Sequence, residues 1–151
     1  MKNIKQPKSI IIIIILILVG ISFTINYNKR NSEEYIIIEK DQIFLLVADT
    51  LELRMKGLSG VKNLEGNTAM LFVFNYPDKH GIWMKDMLFA LDIIWLDEQY
   101  KIVSIEKNIS PNTYPKVFYP TEKSLYVMEG KAGFVERNGI MVGKVLNLSK
   151  K

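Results

Sequence analysis

Apolar residues in this chain fall into three kinds of run, and each predicts a different element. The first is Ile10–Ile25, uncharged throughout, in which only Gly20, Ser22 and Thr24 are not large and apolar. Its sixteen residues reach roughly 24 Å as a helix, and extending the run from Ser9 to Tyr27 brings it close to the thickness of a hydrocarbon core. Lys2, Lys5 and Lys8 precede it, and no small-x-small cleavage site follows. We therefore expect an uncleaved signal anchor over residues 1–27, crossing the membrane with residues 9–27 and leaving the rest of the chain outside the cytoplasm. A cleaved signal peptide with secretion is the alternative. Residues 28–34 read as a hydrated tether, and residues 35–151 as one folded domain.

The second kind of run is short and β-rich. Tyr35–Glu39 and Gln42–Val47 flank a turn at Lys40-Asp41, and Ala69–Phe74, Ile82–Met84, Leu91–Leu96, Tyr100–Ile109, Leu125–Glu129 and Val145–Leu148 follow. Gln42–Val47 and Ala69–Phe74 are apolar on both faces, as in strands covered from both sides. The third kind has helical spacing. Leu51, Arg54, Met55 and Leu58 form one face of a short helix capped by Asp49 or Thr50 and broken by Gly57 and Gly60. Ala132–Asn138 reads as a helical turn stopped by Gly139, Asn75–Asp78 as a turn, and Ser110–Thr121, with three prolines, as a long loop. About eight short strands separated by turns predict a mainly β domain, a sandwich or barrel with one or two short helices.

Charge narrows the function classes. The chain is +4 overall, but the first thirty residues hold five bases and no acid, so residues 31–151 carry 15 bases against 16 acids. A nucleic-acid binder needs a cationic footprint on its folded part, so no nucleic-acid partner is expected. With no cysteine and one histidine, His80, the chain lacks disulfides, thiol nucleophiles and imidazole-rich zinc sites. No phosphate loop or nucleophile elbow occurs, and we expect neither metal nor cofactor.

Two tryptophans, a lysine and three aspartates lie within Gly81–Asp97, in an apolar setting. Asp92 is flanked by the apolar faces of its strand, and a buried carboxylate needs a partner. Arg54, inside its helix's apolar stripe, is the expected one, with Glu129 completing the set. Such a cluster either fixes the helix onto the sheet or grips an anionic or hydroxyl-rich ligand at a cleft. Asp92 and Glu129 are also the candidate catalytic pair, as general acid and base, if their carboxyls lie about 5–10 Å apart. Trp83, Trp95, Tyr114, Phe118 and Tyr119 could form an aromatic platform. Trp95 alternates with Leu91 and Ile93 and reads as core, whereas Trp83 beside Lys85 reads as surface. The candidate ligand-binding residues are thus Arg54, Trp83, Lys85, Asp92 and Glu129.

Several stretches together resemble the DUF192 family of small bacterial and archaeal proteins. These are Arg54 with Gly57-Leu58-Ser59-Gly60, MLFVF at Met70–Phe74, WMKDM at Trp83–Met87 and LDIIWLD at Leu91–Asp97. Weaker matches are Ser110-Pro111, YVMEGKAG from Tyr126 to Gly133 and NGIMVG from Asn138 to Gly143. The resemblance implies a compact domain similar to a jelly roll and no established activity. The chain departs from the family pattern at Ala69 (usually glycine), Ala90 (usually proline), EGKAG for ELPAG, and Lys144 for a late aspartate. Any ligand contact that this aspartate makes in relatives is absent here.

The sequence thus leads us to expect a membrane-tethered extracytoplasmic binding or interaction module for envelope material, glycan or protein. An acid/base hydrolase of envelope glycans using Asp92 and Glu129 is one alternative, and a purely structural or assembly domain is another.

Overall fold

The computed structural model describes residues 34–150 apart from 39, 40 and 66. The expected anchor over residues 1–27 lies outside the described residues, as does nearly all of the tether. Among the described residues, no helix is long and apolar enough to cross a membrane.

Among the described residues the fold is mainly β with two short α-helices. The strands are β1 (Glu34–Ile38), β2 (Asp41–Ala48), β3 (Thr68–Asp78), β4 (Ile82–Trp83) and β5 (Leu91–Leu96). They continue with β6 (Ile102–Ile109), β7 (Val117–Phe118), β8 (Ser124–Lys131) and β9 (Asn147–Lys150). The helices are α1 (Leu51–Lys56) and α2 (Phe134–Arg137). One seven-stranded sheet runs β6-β5-β8-β3-β2-β1-β9, and β4 pairs with β7 in a separate two-stranded ribbon. β1 pairs antiparallel with β2, as the hairpin expected between them requires. The sheet is nevertheless mixed, because β2 pairs parallel with β3. The intervening α1 and its following loop carry the chain back to start β3 in the same direction, as a parallel crossover requires.

Both faces of the sheet are covered, which is why strands such as β5 are buried along their whole length. On one face Ile43, Leu71, Ile94, Leu96 and Met128 pack with Phe134, Val135, Ile140 and Leu146 from the C-terminal stretch. On the other Phe72, Leu91, Ile93, Trp95 and Val127 pack with Leu58 and Leu64 from the loop after α1, and with Ile82, Met84, Met87 and Phe118. Gly130 sits where α2 meets the sheet. A Cβ there would stand 2.3 Å from the Phe134 ring, so the close approach of helix to strand requires glycine.

Three local outcomes differ from the sequence pattern. The turn expected at Asn75–Asp78 is instead the end of β3, whose pairing with β8 is irregular between Val73 and Asp78. Pro77 is tolerated there because an irregular ladder does not demand its missing N–H. The loop expected over Ser110–Thr121 contains β7, which pairs with β4. The amphipathic face of α1 does not pack into the core: Leu51 is 70% and Met55 64% exposed, and only Leu58, beyond the helix, is buried. Thr50 caps this helix, its Oγ1 accepting from the Leu53 N–H at 3.2 Å, and Gly57 ends it at a positive φ of 50°.

Candidate functional site

The two carboxylates singled out in the sequence point away from one another. Pairing of β5 with β8 sets Ile93 opposite Glu129 and Asp92 opposite Gly130. Residues directly opposite in a ladder share a face and neighbours along a strand do not. Asp92 and Glu129 therefore lie on opposite faces of the sheet, and the acid/base pair expected of them does not assemble.

Asp92 is a structural carboxylate. It is fully buried; its Oδ1 accepts from the Asn108 N–H at 2.8 Å and its Oδ2 from the Val135 N–H at 2.9 Å. The first bond serves a bulge, since the β5–β6 register shifts between Leu91 and Ile93, and Asn108 adopts a positive φ of 56°. The second serves the first turn of α2, whose N-cap residue, Gly133, has no side chain to offer. Asp92 thus supplies a helix cap from a neighbouring strand. Its expected partnership with Arg54 is not formed, and the physical reason is that two backbone donors already satisfy it.

Glu129 is the opposite case. It is 4% exposed, and among the described residues no hydrogen bond or ion pair reaches its carboxyl. Its cross-strand neighbours Met70 and Ile93 are apolar. Burial alone pushes its pKa up to about 8 from an ordinary 4.5, because no charge or donor compensates the lost hydration of the ionised form. At neutral pH this carboxyl is therefore mostly a neutral acid and a hydrogen-bond donor.

What Glu129 faces is a cleft of about 200 Å³. Leu51, Arg54, Met55 and Lys56 of α1, with Gly57, Leu58 and Ser59 after it, form one side. Phe72 and Phe74 of β3, Gly81, Ile82 and Trp83 at the ribbon, and Met87 complete the wall around Glu129. This explains the exposed face of α1: its stripe lines a cleft mouth rather than the core. Arg54 is held in place by its Nη1, which donates to the Asp49 carbonyl at 2.6 Å and to the Val73 carbonyl at 2.7 Å. Its guanidinium lies over the Phe74 ring, 5.4 Å from the centroid. The same ring stacks on His80 at 3.5 Å, and the His80 carbonyl accepts from the indole N–H of the buried Trp95 at 2.8 Å. His80 thus braces the ring under Arg54.

Of the five candidate ligand-binding residues, the fold brings Arg54, Trp83 and Glu129 to one cleft. It leaves out Asp92, on the far face, and Lys85, whose side chain is exposed and whose carbonyl accepts from Ser59 Oγ at 2.9 Å. Arg54 and Glu129 form no ion pair with each other. The aromatic platform divides too: Trp95 and Phe118 are buried, whereas Trp83 is 44% exposed and meets Tyr114 edge-on at 6.2 Å at the cleft rim. Phe72, Phe74 and Met87 are lining residues that the sequence does not single out. The signal available for them is that Phe72 and Phe74 share the parity of Met70, the residue opposite Glu129.

The family model of DUF192, described as "Uncharacterized ACR", matches residues 36–148. Two curated proteins named UPF0127, from Thermococcus gammatolerans and Thermococcus kodakarensis, are each 29% identical over 103 residues, 67% of this chain. The matched stretch spans 63% and 62% of those relatives' lengths. Two crystal structures share the fold. One, of a Sinorhizobium meliloti protein provisionally described as a transcription regulator, has a TM-score of 0.71 at 24% identity, covering 78% of this chain and 92% of that one. The other, a Novosphingobium aromaticivorans protein of unknown function, has a TM-score of 0.68 at 24% identity, covering 76% and 83%.

Proposed function

This chain belongs to the DUF192 family, and from that premise we propose that it is a membrane-tethered extracytoplasmic binding module whose cleft takes one unit of envelope material, glycan or protein. The observation that carries the reading is the cleft itself. A braced guanidinium and a carboxyl without a protein partner line one largely apolar recess, which is the composition of a ligand site rather than of a packed core. Leaving an acid without a partner costs folding free energy, and a scaffold has no use for that cost. A mixed sheet covered on both faces gives the cleft a rigid floor. The tether is the expectation from residues 1–27.

A hydrolase built on Asp92 and Glu129 is disfavoured by their placement on opposite faces. A nucleic-acid role, which the description of the Sinorhizobium structure would suggest, is disfavoured by the charge of residues 31–151, with 15 bases against 16 acids.

The test is a thermal-shift titration of the full chain in detergent micelles with envelope glycan fragments and envelope peptides. Binding should raise the melting temperature, and Arg54→Met should abolish the rise while costing about 1–2 kcal/mol of stability for its two carbonyl contacts. A folded Arg54→Met protein that binds unchanged removes the cleft from the site. Recovery of intact protein in the soluble cytoplasm contradicts the tether.

A further inference from the structure

We infer that the cleft accepts a carboxylate carried on an apolar body about one ring in size, held between the Arg54 guanidinium and the Glu129 carboxyl acting as a hydrogen-bond donor. The inference rests on the reading of this cleft as a binding site and specifies its ligand class.

Size comes first. At about 200 Å³ the cleft falls below the roughly 300–1,000 Å³ of sites that enclose drug-sized ligands, so it holds one ring or one side chain rather than an oligomer. Its walls decide the body: Leu58, Phe72, Phe74, Ile82 and Met87 offer apolar surface, and the polar lining is confined to a few residues, chiefly Arg54, Lys56, Ser59 and Glu129. A sugar ring carries hydroxyls on every side, and those set against the apolar wall would be buried without partners.

The charged and titratable groups decide the head group. α1 contributes Arg54 and Lys56 to the cleft, and β8 contributes Glu129; the lining residues from β3 and β4 are Phe72, Phe74, Ile82 and Trp83. Met70 and Ile93, opposite Glu129 on the flanking strands, add no titratable group. Nη1 of Arg54 is committed to two backbone carbonyls, which fixes the fork and leaves the other guanidinium N–H groups to a ligand. With its carboxyl protonated, Glu129 is a second donor, and burial keeps it so up to about pH 8. The lining thus carries two basic residues and an acid O–H, and no acidic residue besides Glu129. A ligand ammonium would meet like charge, whereas a carboxylate can take a charge-assisted bond from Arg54 and a short O–H···O⁻ bond from Glu129.

The test compares four probes on the full chain in detergent micelles by saturation-transfer NMR: benzoate, benzamide, benzylammonium and glucuronate. The signal retained by Arg54→Met is subtracted as micelle partitioning. Benzoate should bind tightest, and its affinity should fall about tenfold from pH 7 to pH 9, as the protonated fraction of a group with a pKa of about 8 falls from roughly 0.9 to 0.09. Glu129→Gln keeps an N–H donor and cannot ionise, so it should bind benzoate within about threefold of the parent, with a flat profile over that range. A purely structural Glu129 would not move the pH profile. A pH-dependent fall that survives in Glu129→Gln overturns the assignment of the donor. Benzamide, benzylammonium or glucuronate binding as tightly as benzoate overturns the carboxylate inference while leaving the cleft a binding site. No response to any of the four, with the chain folded, overturns both.

Discussion

Replacing Glu129 by glutamine should stabilise this protein, and by an amount that depends on pH in a defined way. In the unfolded chain the side chain ionises near its ordinary pKa of 4.5, whereas in the folded cleft it holds its proton to about pH 8. A carboxyl whose pKa is raised by folding leaves stability intact below the unfolded value and erodes it as pH climbs towards the folded value. Each pH unit in that window costs about 1.4 kcal/mol, so the accumulated loss at pH 7 is about 3 kcal/mol and levels off above about pH 8. Against a typical domain stability of about 5–15 kcal/mol this is a large fraction. Glutamine has nearly the same shape and does not titrate, so the variant escapes the loss. Urea denaturation of the full chain and of Glu129→Gln, in matched micelles at half-unit steps from about pH 4.5 to 9, measures the difference directly. The two should be nearly equal at the acid end and diverge to about 3 kcal/mol in favour of glutamine at pH 7. A gap that stays constant, or that narrows as pH rises, would mean that Glu129 ionises in the fold at least as readily as in the unfolded chain, and that burial does not hold its proton.

Two further substitutions test the scaffold. Asp92→Asn should destabilise the domain by about 2–4 kcal/mol, read from the denaturation midpoint, because one amide oxygen cannot accept from both the Asn108 and Val135 N–H groups and the new NH₂ opposes a donor. Molecules of that variant that remain folded should still bind at the cleft, which lies on the other face of the sheet. Gly130→Ala should cost about 1–3 kcal/mol in the same assay, since its Cβ would press on the Phe134 ring and push α2 off the sheet; a neutral result would show that α2 shifts without cost.

Much of the fold was legible in sequence because strand signals are local. Leu91–Leu96 forms as expected, Thr50 caps the helix, and β1 pairs antiparallel with β2. The errors have local causes as well. Asn75–Asp78 carries every mark of a turn, yet an irregular stretch of ladder accommodates its proline, and β7 is too short to show a period. The site was legible in residue type and not in arrangement. Arg54, Trp83 and Glu129 stood out as polar or aromatic residues in apolar runs, and all three reach the cleft, whereas Asp92 stood out for the same reason and does not.

That contrast marks the division between the two levels. Local pattern alone specifies a mainly β chain, the family signature, an apolar N-terminal run and a small set of residues that must be partnered or exposed. Alternation fixes which side chains of a strand lie together, so Asp92 with Ile94 and Leu96, and Glu129 with Val127, could be read directly. Which face of one strand joins which face of the next depends on register, and register is set by contacts distant in sequence. Long-range pairing, by placing Ile93 opposite Glu129, turned one carboxylate towards the Asn108 and Val135 N–H groups and the other towards the cleft that Arg54 also lines.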